Sequence, residues 1–95
     1  MLAGKTYNNG QKVSEQIGDR LVYYYKNGKV KAEGLYIDNL MEGEWIFYRE
    51  TGQLWQTGNF SGSKKHGRWV RYGRDDEVEY DETFDMNKLI KKRAE

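Results

Sequence analysis

With 95 residues the chain fits one domain and can bury only a modest core. A net charge of +1 leaves no global field to draw it toward nucleic acid or a membrane, and the lack of cysteine excludes disulfides, thiolate nucleophiles and cysteine-ligated metals. Eight Tyr, three Trp and three Phe argue for a folded chain, and eleven Gly with no Pro for the many tight turns that β architecture uses.

The first residues, Met1-Leu2-Ala3-Gly4-Lys5, have no apolar signal-peptide core, and no later stretch approaches a membrane span, so the expected location is the cytoplasm. Tyr7-Asn-Asn9-Gly10-Gln-Lys-Val13 has the composition of a hairpin turn, and residues 1–18 are read as an N-terminal hairpin or cap in which Ser14 to Gly18 fit no repeat frame. From Asp19 onward the chain repeats every 24 residues, with Tyr24, Tyr48 and Tyr72 in phase. Three units follow, 19–42, 43–66 and 67–90, with a tail at 91–95. Gly43-Glu-Trp45-Ile-Phe-Tyr48 matches Gly67-Arg-Trp69-Val-Arg-Tyr72, while Asp19-Arg-Leu21-Val-Tyr-Tyr24 is a looser copy. Gly28 matches Gly52, Gly34 matches Gly58, and Val30, Leu54 and Val78 align ahead of Tyr36, Phe60 and Phe84.

Within each unit two aromatic and β-branched runs separated by turn residues predict a hairpin. A two-residue type I′ turn at Asn27-Gly28 would pair Tyr25 with Val30, Tyr23 with Ala32 and Leu21 with Gly34, and would set Trp45 opposite Gly58. On that register Leu21, Tyr23, Val30, Tyr36, Trp45, Phe47, Leu54, Phe60, Trp69, Val78 and Phe84 share a core face. Val22, Tyr24, Ile46, Tyr48, Trp55, Val70 and Tyr72 fall on the other, which is too apolar for a plain solvated surface.

The frame resembles the MORN repeat, and more closely its bacterial variant found in antitoxin-type proteins. The resemblance rests on Gly43-Glu-Trp45 with Tyr48, Thr51-Gly52-Gln53-Leu54, Gly58-Asn-Phe60 and Lys65-His66-Gly67-Arg-Trp69, and covers Asp19 to Lys92. It implies an all-β fold, a curved single-layer antiparallel meander of tandem hairpins. The third unit departs, with Asp76, Glu82 and Lys91 where Gly52, Gly58 and Gly67 stood, as a polar end unit would. Phe84-Asp-Met-Asn87-Lys-Leu-Ile-Lys-Lys92 then reads as a last turn and strand, its lysines guarding an open edge.

No catalytic constellation emerges. His66, the single histidine, is read as a turn residue, and Gly58 to Lys65 lacks the spacing of a phosphate-binding loop. The acidic run Asp75, Asp76, Glu77, Glu79, Asp81, Glu82 and Asp85 is either a solvated cap or a dock for a basic partner; alternation sends Glu79 and Asp81 to one face. Lys64, Lys65, Arg68, Arg71 and Arg74 form a basic cluster near Trp69 and Tyr72. Near-neutral total charge argues against nucleic acid, and Arg71 beside Tyr80 and Arg68 beside Thr83 are the expected cross-strand pairs.

The stripe of Tyr24, Tyr48, Trp55 and Tyr72 is the expected partner-binding surface, since Tyr and Trp bury large area at low entropic cost. The N-terminal segment or a second copy could equally cover it, and an open sheet edge offers the other route to a homodimer. The expected function is non-catalytic protein binding with no cofactor and no metal: an inhibitor or antitoxin that masks a toxin or host enzyme, of bacterial or phage origin. A structural or membrane-associated scaffold, with the basic cluster at anionic headgroups, is the alternative that the resemblance implies. The specificity is expected where the copies differ: at Trp55, the basic cluster and the acidic end.

Overall fold

In the computed structural model, which describes residues 5–92, the strands are β1 (Ser14–Ile17), β2 (Arg20–Tyr24), β3 (Val30–Ile37), β4 (Leu40–Tyr48), β5 (Leu54–Ser61), β6 (Lys64–Lys65), β7 (Gly67–Tyr72), β8 (Val78–Asp85) and β9 (Lys88–Lys92). They form one antiparallel sheet in the order β1-β2-β3-β4-β5-β7-β8-β9, with the short β6 also beside β5. β6 and β7 are one run facing β5, interrupted at His66. The sheet is therefore an open single-layer meander, with β1 and β9 at its edges and no second layer among the described residues. At the N-terminus Thr6 bridges Lys12, so the anticipated hairpin at Tyr7 to Val13 forms, and Ser14 to Ile17 add β1. The frame boundary at 42/43 cuts through β4, and Lys91 and Lys92, assigned to the tail, complete β9.

Two kinds of turn alternate along the meander. At one end lie two-residue loops with both residues at positive φ, Asp38-Asn39 (53°, 66°), Gly62-Ser63 (55°, 66°) and Met86-Asn87 (48°, 75°), the pattern of type I′ turns. At the other end each tip is a three-residue loop. At the first repeat tip Gly28 N–H donates to the Tyr25 carbonyl at 2.9 Å and Tyr25 N–H to the Lys29 carbonyl at 2.8 Å. The second and third tips, Arg49 to Gln53 and Gly73 to Glu77, repeat the pair of bonds, as does Tyr7 to Gln11. Only the fourth residue of each has positive φ: Gly10 (88°), Gly28 (88°), Gly52 (96°) and Asp76 (66°). This is a type I turn closed by a glycine bulge rather than the type I′ turn expected at Asn27-Gly28. Asn27 keeps negative φ, and its side chain instead accepts from Lys29 N–H at 2.9 Å.

That difference in turn type moves residues between faces. Tyr23 pairs with Ala32 and Leu21 with Gly34 as expected, but a bulge before Val30 pairs it with Tyr24, not Tyr25. The same shift recurs at Tyr48 with Leu54 and at Tyr72 with Val78. Directly opposed residues share a face, so Val30, Leu54 and Val78 leave the expected core row and join the tyrosines. Lys31, Trp55 and Glu79 become the extra residues of the bulges.

The core face is held by tryptophans lying over glycines. Trp45 pairs with both Gly34 and Gly58, and its indole leans across Gly34, where a Cβ would overlap the ring; Trp69 covers Gly58 in the same way. Each indole N–H donates to the carbonyl beyond its glycine, Trp45 to Leu35 at 2.9 Å and Trp69 to Asn59 at 2.8 Å. Trp45 is only 1% exposed and packs with Leu21 and Ala32. Around them Tyr23, Phe47, Phe60 and Phe84 extend a row of tilted and edge-on rings with centroids 5.1 to 6.5 Å apart. Such pairs contribute about 0.5–1.5 kcal/mol each beyond their buried area. The third unit has Glu82 where Gly34 and Gly58 stand because position 93 holds Arg instead of another Trp, leaving no indole to accommodate.

Candidate docking site

Two of the three tyrosines expected to lead the interface, Tyr24 and Tyr48, are tied into their own sheet. Tyr24 Oη donates to Glu15 Oε1 at 2.9 Å and Tyr48 Oη to Glu33 Oε2 at 3.2 Å. The bond from Tyr24, with help from Lys12, holds the Glu15 carboxyl below the usual range, and the Tyr24 hydroxyl is raised in return. Burial, followed by Glu33, pushes the Tyr48 hydroxyl up. Glu33 also meets Arg20 at 3.2 Å, and Arg68 grips Asp81 with two bonds at 2.9 and 2.8 Å. Glu15, Glu33 and Asp81 pair through Val22, Ile46, Thr57 and Val70, so this face alternates apolar residues with satisfied charges.

Trp55 does not share that face. Its bulge turns it to the core face, where the Arg71 guanidinium stacks 4.9 Å from its ring and 5.0 Å from that of Tyr80. The expected pairs of Arg71 with Tyr80 and Arg68 with Thr83 both form, yet they put the two arginines on opposite faces. The basic cluster is consequently dispersed: Lys65 lies over Trp69 and Phe84 at 4.7 and 4.8 Å, Arg68 is on the tyrosine face, Lys64 is exposed, and Arg74 is at a tip. The acidic run disperses as well. Asp75, Asp76 and Glu77 build the third tip, Asp81 pairs with Arg68, Glu82 pairs with Trp69, and Asp85 approaches His66 Nδ1 at 3.5 Å at the far end. Glu79, expected beside Asp81, is turned by its bulge toward Gly73 on the Trp55 side. Among the described residues no group of His, Asp and Glu is placed to hold a metal ion. His66 Nδ1 accepts from Met86 N–H at 3.3 Å, in keeping with a turn role.

What the structure assembles instead is a cleft around Trp55. Arg49, Arg71, Gly73, Arg74, Asp75 and Glu79 line it with Trp55 on the tip side. Tyr23, Tyr25, Lys31, Met41, Phe47 and Trp55 line an apolar groove of about 260 Å³ that continues from it over the core face. Arg49 Nη2 donates to the Tyr72 carbonyl at 3.0 Å, which fixes the guanidinium, but its Nε is buried without a partner. Arg71 Nε donates to Gln56 Oε1 at 3.1 Å. Among the described residues no carboxylate lies within ion-pair distance of Arg49, Arg71 or Arg74.

Residues 21–38 and 41–61 match the family model of the MORN repeat variant. The two MORN matches cover β2 with β3 and β4 with β5, the two hairpins that flank the Trp45 indole. No curated protein and no solved structure gives a significant match to the chain. Against these MORN hairpins the cleft is where the repeat breaks. Arg49 stands in the place of Tyr25, Arg71 in that of Tyr23 and Phe47, and Trp55 in that of Lys31. Arg49 is the functional candidate that sequence reading missed. Its signal was present as a charged residue at an aromatic repeat position.

Proposed function

We propose that the chain is a non-catalytic protein-binding module that acts by occlusion, an inhibitor or antitoxin laid over a target enzyme in the cytoplasm. The observation that carries this reading is the core face itself. Trp45 and Trp69 are buried within the row, but Tyr23, Phe47, Phe60 and Trp55 around them stay partly exposed, and among the described residues no second layer covers them or the groove beside Trp55. Uncovered apolar area rimmed by arginines has the composition of a protein interface. The MORN match supports a binding scaffold, while fold by itself does not fix function.

The scaffold alternative draws less support. Headgroup binding favours many unbalanced cations on one open surface, whereas Arg68 is paired with Asp81 on the tyrosine face and Arg71 and Arg74 share their cleft with Asp75 and Glu79. The described residues contain no helix long and apolar enough to cross a membrane. The test is to isolate the enzyme that the purified chain binds and to titrate its activity with the chain. Occlusion gives inhibition that saturates at a fixed molar ratio and is lost in Trp55→Lys, which puts there the residue that the first unit has at Lys31. Inactivation by catalytic amounts of the chain would sink the reading.

A further inference from the structure

We infer that Arg49, Arg71 and Arg74 around Trp55 form a receptor for one acidic side chain of a partner protein segment, with the adjoining groove taking a bulky apolar side chain next to it. This rests on the protein-binding reading and specifies its chemistry. Three guanidiniums line the cleft with no carboxylate of the described residues within ion-pair distance, whereas Lys12, Arg20 and Arg68 each have one. Arg49 is held by the bond from its Nη2 to the Tyr72 carbonyl, so its guanidinium needs little further ordering to meet a ligand. Arg71 is fixed between Trp55 and Tyr80, so its fork is presented without further ordering of the side chain.

Charge selects the ligand. Asp75 and Glu79 share the cleft with the three arginines, which leaves a surplus of one positive charge. A single carboxylate neutralises that surplus. A phosphate backbone would bring several charges and meet Asp75 and Glu79 as repulsion. Trp55 lines both the charged cleft and the apolar groove, so the two ligand groups must lie within one or two residues of each other. Arg49 stands where the first unit has Tyr25 and Arg71 where the first two units have Tyr23 and Phe47, which places the recognition where the copies differ rather than in what they share.

The experiment uses the full chain, isotopically labelled, with blocked Glu-Trp-Glu tripeptide as probe, followed through the Trp55 indole and arginine Nε–H resonances. Saturable binding is expected that perturbs Trp55, Arg49 and Arg71. Blocked Gln-Trp-Gln should bind at least about tenfold more weakly, the worth of one charge-assisted contact. Arg49→Tyr and Arg71→Phe introduce the residues that a neighbouring unit carries at Tyr25 and Phe47, so they should keep the strand resonances in place and weaken the acidic peptide by the same factor. Equal affinity for the two peptides, perturbations centred on the tyrosine face, no saturable binding, or tighter binding of oligothymidylate than of Glu-Trp-Glu would each overturn the inference. If enzyme inhibition survives in Arg49→Tyr with Arg71→Phe, this site falls while the protein-binding reading stands; if the wild-type chain binds the tripeptide but inhibits nothing, the reverse holds.

Discussion

Gly58 has no side chain because Trp69 occupies the space that a Cβ would take. Gly34 stands in the same relation to Trp45, and in both cases the indole N–H secures the overlap by bonding one residue further along the strand. Forcing a methyl into a packed site costs about 3 kcal/mol when the neighbour cannot move, and these rings are held on both sides. Gly58→Ala should therefore lose about that much in urea unfolding. The cause is checked by coupling: in a Trp69→Leu background the same substitution should cost little, because the obstructing ring is gone. Costs that simply add would mean that strand glycine matters for another reason.

At the scale of the hairpin, the tips are stitched to one another as well as closed on themselves. Tyr7 Oη donates to the Tyr24 carbonyl at 2.7 Å and Tyr25 Oη to the Tyr48 carbonyl at 2.7 Å, and Arg49 makes the equivalent bond to Tyr72 at 3.0 Å. Asn9 and Asn27 add Nδ2 bonds to the Lys26 and Glu50 carbonyls of the next tip. Tyr25→Phe should cost about 1 kcal/mol by leaving the Tyr48 carbonyl without this donor, while the turn itself stays closed. Far-ultraviolet circular dichroism and denaturant midpoints separate the two outcomes, and an unchanged midpoint would show that the ladder contributes nothing. The repeat phase, the meander, the Trp and Gly pairing and the edge strand β9 were legible because a 24-residue step aligns side chains whose partners recur. The tip geometry was not. Asn-Gly suits both a two-residue type I′ loop and a three-residue loop of a type I turn with a glycine bulge, and the two differ in loop length as well as in the sign of φ at Asn27. That ambiguity reverses the face of Trp55 and Glu79 and conceals the cleft, while the only sequence signal of Arg49 is a single charge at the place that Tyr25 holds in the first unit.

For the molecule as a whole, a sheet whose strands pair only with their neighbours in sequence has no second layer to share stability evenly. Its buried residues lie between Ser14 and Gly73, and Leu21, Ala32, Trp45 and Trp69 supply the tightest packing. Beyond them Val78, Glu79 and Tyr80 are exposed, as is every residue of β9, with Leu89 and Ile90 at 46% and 58%. Local opening should therefore begin at β9, where few apolar contacts are lost, and reach β3, β4 and β5 only with global unfolding. Native-state hydrogen exchange should report this as β9 amides exchanging about a hundredfold faster than those of β4, a difference of about 3 kcal/mol. The cleft straddles this gradient: Arg49 and Trp55 lie within the second matched hairpin, and Arg71, Arg74 and Glu79 on the third. Occupation of the cleft should slow exchange in β8 more than in β4, because a ligand bridging the two halves adds stability where there is least to start with. Uniform protection along the chain would instead mean a cooperative sheet, in which no strand opens ahead of the others.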